Sequence, residues 1–193
     1  MSGASLAIGK KFDLFGVFVL VFVTAIGRGT VRDVILGDTP AEWMSNSYLI
    51  ATIMGFASLA LLFNPFINKM KYLVYLFGTI GLGLVTMAGI QKSLSNEMNI
   101  FSCILLGTIS ITFGGLLCDI MTGEQPMLLT RKEIYALACA GGGGVYFILD
   151  AIGLAKEINV IACIVYVFLI RHITFKFGVR LPGVDEKGKW IWK

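Results

Sequence analysis

Two segments of this chain follow one pattern. Gly29-Thr-Val-Arg-Asp33-Val-Ile-Leu-Gly37-Asp38-Thr-Pro40 and Gly115-Leu-Leu-Cys-Asp119-Ile-Met-Thr-Gly123-Glu124-Gln-Pro126 both read G-x-x-x-D-x-x-x-G-[DE]-x-P, and every matched position lies 86 residues from its counterpart. The same spacing pairs Gly3 with Gly89, Phe15 with Phe101, Leu20 with Leu106 and Gly55 with Gly141. Chance could align glycines in a chain that has 23 of them, but hardly an Asp, a second acid and a Pro in register. Each copy contains three apolar segments, and that odd number is the constraint. In a membrane, the second copy must insert from the side opposite to the first, and inverted repeats of this kind build pathways near the midplane where the two halves meet.

Composition supplies the membrane. Hydrophobic residues make up 56% of the 193 residues without counting glycine, and charged residues only 15%. Soluble chains run at roughly 45–50% apolar with glycine included and about 25% charged. Mean hydropathy is +0.82. Uncharged stretches cover residues 14–27, 43–68, 72–91, 98–118, 134–149 and 158–170, which reads as six spanning helices. Because a bilayer needs roughly 20 residues, the first helix must continue past Arg28 to about Leu36, and the last must run past Arg171 with its side chain snorkelling. Alternate loops place Lys10, Lys11, Lys69, Lys71, Arg131, Lys132, Arg171, Lys176, Arg180, Lys187, Lys189 and Lys193 on one side and only Lys92 and Lys156 on the other. That bias puts the first side, with the C-terminus, in the cytoplasm.

The net charge of +4 is scattered between apolar runs, so it marks orientation and not a nucleic-acid partner. Cys103, Cys118, Cys139 and Cys163 fall one per apolar run without a CxxC pair and read as small core residues. No nucleophile–base grouping or metal-ligand spacing is present, so the chain reads as a non-enzyme without cofactor or metal. The run Gly141 to Gly144 has apolar flanks and no following Lys, which suits close helix packing rather than a phosphate cradle.

The chemistry concentrates near the repeat motif. Gly27 and Gly29 in one copy, and Gly114 and Gly115 in the other, are expected to break their helices and free carbonyls. Arg28, Arg32, Asp33 and Asp119 put charge beside those breaks, at about 2.5–3.5 kcal/mol or more each unless paired or hydrated. Arg32 and Asp33 are adjacent, about 100° apart around a helix, so each is expected to find its partner on another helix, Arg32 with Asp119 for example. Such charges serve either a polar pathway or a structural clamp. Thr24, Thr30, Thr108, Ser110 and Thr112 could coordinate a dehydrating cation, although back-bonding to the preceding turn is the simpler expectation. Asp150 and His172 are expected at the membrane boundaries.

At these residues the chain resembles the trimeric intracellular cation (TRIC) channel family, in its prokaryotic form and with its bacterial glycine-transporter-domain relatives. The segments that carry the resemblance are Leu14-Phe-Gly-Val through Thr24-Ala-Ile-Gly27, the Gly29 to Pro40 motif, and its echo from Gly114 to Pro126 followed by Arg131-Lys-Glu-Ile-Tyr135. The resemblance implies an all-α polytopic membrane bundle: an inverted repeat of three-helix units, a final helix, and a pore bordered by the two glycine-broken helices. The expected divisions are a first repeat over 1–66, a second over 67–153, a final helix over 154–178 and a cytoplasmic tail over 179–193. It further implies a homotrimer in membrane lipid, in a prokaryotic inner membrane, permeable to potassium and sodium. A secondary transporter of a small zwitterion such as glycine is the alternative.

Two departures from the family stand out. Residues 2–11 match 88–97, the end of the helix that opens the second repeat, so the family's first helix is expected to be largely missing. The usual glycine triplet reads Gly27-Arg28-Gly29 in one half and Phe113-Gly114-Gly115 in the other. This puts a fixed positive charge beside one break only, where it would repel cations or act as a swinging gate.

Overall fold

The computed structural model describes residues 12–63, 70–126, 128, 134–179, 183–184 and 190–191. The expected remnant of an opening helix in residues 2–11 lies outside them, as do Lys69, residues 131–133 and most of the tail. The described elements are α1 (Leu14–Leu36), α2 (Glu42–Ser45), α3 (Ser47–Leu62), α4 (Lys71–Ser95), α5 (Ile100–Thr122), α6 (Tyr135–Ala151) and α7 (Lys156–Phe177). A two-residue antiparallel ladder in the tail pairs β1 (Gly183–Val184) with β2 (Trp190–Ile191).

Among the described residues, four helices are long and apolar enough to cross a membrane: α1, residues 72–95 of α4, α5 and α7. At 1.5 Å per residue, the 23 residues of α1 reach about 34 Å, enough for a hydrocarbon core of about 30 Å. The other two apolar helices, α3 and α6, are shorter. The surface is inverted relative to a soluble protein. Phe15, Phe56, Phe77, Phe101 and Phe177 are exposed, whereas Thr79, Thr86, Ser93, Ser110, Thr112, Thr122 and Asn159 are buried. Such an exterior matches lipid, and the chain is an integral membrane protein.

The repeat is written into local structure. Adding 86 to the bounds of α1 gives the bounds of α5. Asp13 caps α1 by accepting the Gly16 N–H at 2.7 Å, and Asn99 caps α5 by accepting the Ser102 N–H at 2.8 Å. At the other end, Gly37 and Gly123 take left-handed φ values of 77° and 69°. The following N–H groups of Asp38 and Glu124 return to the carbonyls of Asp33 and Asp119, each at 2.9 Å. These are Schellman-type ends, which a left-handed glycine makes possible. The pattern of burial repeats too: Val17, Leu20 and Asp33 are buried, as are Cys103, Leu106 and Asp119, while Phe15 and Phe101 both face outward.

Two compact units divide the chain: residues 1–78 with 109–124, and residues 79–108 with 125–193. These units cut across the repeats, because α5 gives its C-terminal half to the first unit. There, Val17, Leu20 and Cys118 form a buried cluster against which Val21, Ala60 and Leu61 pack. The second unit is held together through glycines. A Cβ on Gly107 would come within 2.9 Å of the Thr86 carbonyl, and one on Gly83 within 3.0 Å of the Ile164 backbone. Gly141 lies against the Tyr166 ring, Gly142 against Val167 and Cys163, and Gly143 against Ile90 and Ile104. The glycine run of α6 is a packing surface, as its apolar flanks suggested, and all four cysteines are buried and free.

Candidate functional site at the crossing of two helices

In the first unit, α1 meets the C-terminal half of α5 at the glycines. A Cβ on Gly114 would lie 2.6 Å from the Thr24 carbonyl oxygen and 2.5 Å from Cγ of Arg28. A Cβ on Gly27 would lie 2.5 Å from Cδ1 of Leu117. Val17 and Leu20 cluster with Cys118 at one end, while Thr24 and Arg28 meet Gly114 further along, so the two helices pass each other in opposite senses. That is the relation an odd-span repeat requires.

Helix α1 runs across Gly27 and Gly29, and α5 across Gly114 and Gly115. Removing the side chain at Gly27 and Gly114 lets the helices approach closely, and a helix that keeps its own hydrogen bonds leaves no backbone group unsatisfied in lipid. Gly29 has only Nη2 of Arg32 nearby, at 3.8 Å from a built Cβ.

The charged residues correct one expectation. Arg32 pairs with its neighbour Asp33: Nη2 lies 2.8 Å from Oδ1, and Nε donates to the same oxygen at 2.9 Å. Their 100° separation is bridged because the long Arg side chain folds back along the helix. Arg32 also reaches Glu42 Oε2 at 3.4 Å, and the Glu42 N–H donates to Asp33 Oδ2 at 3.1 Å. The buried carboxylate of Asp33 therefore caps the short helix α2 and holds it against the end of α1. Trp43 completes the clasp, donating its indole N–H to Thr30 Oγ1 at 3.0 Å and stacking edge-on to Phe22 at 5.6 Å. Asp119 is also buried, in the equivalent position of α5, where Cys118 stands in place of Arg32.

The hydroxyls behave as the simpler expectation required. Thr24 bonds the Leu20 carbonyl at 2.6 Å, Thr30 the Ile26 carbonyl at 2.9 Å, Thr108 the Ile104 carbonyl at 2.8 Å and Thr112 the Ile109 carbonyl at 3.2 Å. Ser110 is buried, and its position in α5 is that of Thr24 in α1.

In the second unit, Asp150 is exposed and accepts from the buried Asn159 at 3.5 Å across the α6–α7 turn. His172 stacks flat on Phe168 at 6.0 Å. Arg171 reaches the first residue of α6. Its guanidinium sits 5.6 Å over the Tyr135 ring, where a cation–π contact replaces part of its hydration. Sequence reading did not single out Glu42, Trp43 or Asn159. Only the D-x-P turn after α1, which folds the chain straight back, hinted at the first two.

The chain matches the family model described as Glycine transporter over residues 1–64 and 75–151. This chain belongs to the Glycine transporter family. Among relatives, it is 33% identical to a UPF0126 membrane protein of Vibrio cholerae over 94% of this chain and 76% of the relative. It is 30% identical to the inner membrane protein YadS of Escherichia coli K12 over 98% and 93%. Solved structures extend the Glycine transporter family to the TRIC fold. One TRIC cation channel superposes with a TM-score of 0.88 at 28% identity, covering 95% of this chain and 90% of that one. The trimeric intracellular cation channel orthologue from Rhodobacter sphaeroides gives 0.83 at 32% identity, covering 92% and 91%. The resemblance read from the motifs is thus met in fold and sequence together.

Proposed function

We propose that the chain is a cation channel, assembled as a homotrimer in a bacterial inner membrane with its C-terminus in the cytoplasm. Each protomer has its own pathway for monovalent cations, chiefly potassium and with sodium as a second permeant ion, bordered by α1 and α5. The observation that carries this reading is the close, oppositely directed crossing of those two helices, with buried Asp33 on one and buried Asp119 on the other, in a fold shared with TRIC cation channels. Buried ionisable residues on facing membrane helices are the usual mark of an ion pathway.

The family description favours a second reading, transport of a small zwitterion such as glycine. A transporter of that kind uses the N-termini of half-helices to hold a carboxylate.

Purified protein in planar bilayers and in liposomes separates the two. The channel reading expects unitary potassium currents of picoampere scale, which a transport cycle cannot sustain, and no saturable glycine uptake. Saturable tracer uptake of glycine without unitary current would overturn it.

A further inference from the structure

Asn159 stands in the first turn of α7 at 0% exposure. Its Nδ2 faces two oxygens, the Leu154 carbonyl at 3.4 Å and Asp150 Oδ1 at 3.5 Å. Both contacts are long for N–H···O bonds, which sit at about 2.7–3.2 Å. Its Oδ1 is buried too, and has no hydrogen-bond partner among the described residues. Burying an amide is costly unless its polar atoms are met, so an asparagine held this loosely in an apolar corner calls for a ligand. The corner itself is made by backbone. Gly153 takes φ 86°, and the N–H groups of Gly153 and Leu154 return to the carbonyls of Asp150 and Leu149 at 3.0 and 3.3 Å. This tight exit from α6 brings the Leu154 carbonyl to Asn159, while Asp150, in the last turn of α6, stays exposed at the rim.

We propose that the α6–α7 corner binds a hard cation of calcium or sodium size through Asp150, the Leu154 carbonyl and Asn159, with water filling the remaining positions. An asparagine amide has nearly the same shape either way up, so half a turn about its Cβ–Cγ bond puts Oδ1 where Nδ2 lies. Three oxygens then converge, with Asn159 Oδ1 at 3.4 Å from the Leu154 carbonyl oxygen and 3.5 Å from Asp150 Oδ1. Ligands at right angles on one ion are separated by √2 times the metal–oxygen distance, about 3.3–3.7 Å for an ion bound at about 2.3–2.6 Å. Magnesium, bound at about 2.0–2.1 Å, demands a spacing of only about 2.8–3.0 Å. The ion ties the end of α6 to the start of α7 and satisfies the buried amide. Its single carboxylate makes the site weak, since calcium affinity follows the charge of the ligands. Lys156 and Glu157, in the first turn of α7, are both exposed and offset each other's charge. None of this depends on the chain conducting ions.

The test is thermal melting of the full-length protein in detergent, stripped with a chelator and held at constant ionic strength with choline chloride, against added calcium, sodium or magnesium chloride. We expect a saturable rise with calcium or sodium, about 3–6 °C at ten times the half-saturating concentration, and none with magnesium. The salt that acts at the lower concentration identifies the ion. Asp150→Asn changes an exposed side chain and should abolish the rise, while Glu157→Gln, one acid removed from the same corner, should keep it. Asn159→Asp adds a second carboxylate and should lower the half-saturating concentration. No rise with calcium or sodium, an equal rise with magnesium, or a rise that survives Asp150→Asn would overturn the site.

Discussion

The crossing at Gly114 can be tested by adding a single methyl group. In Gly114→Ala the new Cβ falls 2.6 Å from the Thr24 carbonyl oxygen, and real Cβ atoms essentially never come within 3.0 Å of a neighbour. Arg28 can rotate away, but the carbonyl belongs to the α1 backbone, so relief requires the two helices to part by several tenths of an ångström. Overpacking of this kind costs about 1–3 kcal/mol. Alanine's helical advantage over glycine returns about 1 kcal/mol at most. The net loss is up to about 2 kcal/mol, which for a chain of this size lowers the melting temperature by up to about 8 °C. Two other glycines calibrate the result. In Gly27→Ala the clash is with the flexible end of Leu117, which can change rotamer, so the loss is smaller. A Cβ on Gly144 has nothing within 4 Å, so Gly144→Ala should match or exceed the parent. Thermal melts of the detergent-purified protein should rank Gly114→Ala lowest, then Gly27→Ala, then Gly144→Ala. If Gly114→Ala melted as high as Gly144→Ala, the close approach of α1 and α5 would be refuted.

Asp33→Asn should keep an acceptor for the Glu42 N–H but lose the charge pair with Arg32, at a cost of about 1.5–3 kcal/mol. A lower melt and red-shifted Trp43 emission, read with Trp190 and Trp192 replaced by Phe, would report the loosening of α2; an unchanged spectrum would count against the clasp. The equivalent caps Asp13 and Asn99 should each lose about 1 kcal/mol on substitution by alanine, and a marked inequality would argue against their equivalence. Glu97 is exposed and held at φ 54°, so Glu97→Gly should raise stability by about 1 kcal/mol in chemical denaturation, because a side chain in the left-handed region carries that strain.

Much of the fold was legible because its signals are local. Apolar run length marked the segments that form the six apolar helices. The 86-residue repeat foretold that α1 and α5 would be equivalent before any contact was known. The back-bonding of Thr24, Thr30 and Thr112 was legible for the same reason, since a hydroxyl in an apolar helix has its own preceding carbonyl always within reach.

What the sequence by itself determined, then, was solvent, the six apolar segments and the internal repeat, all properties legible along the chain. The tertiary structure decided which distant atoms meet. Arg32 turned to the adjacent Asp33 and not to Asp119, because the returning Glu42 N–H and carboxylate made that corner the place where both charges could be satisfied. Gly27 and Gly114 are points where α1 and α5 come close, since neither has a side chain to hold the helices apart. And Arg28 lies across Gly114, its own counterpart in the repeat, a juxtaposition that depends on where the two copies cross.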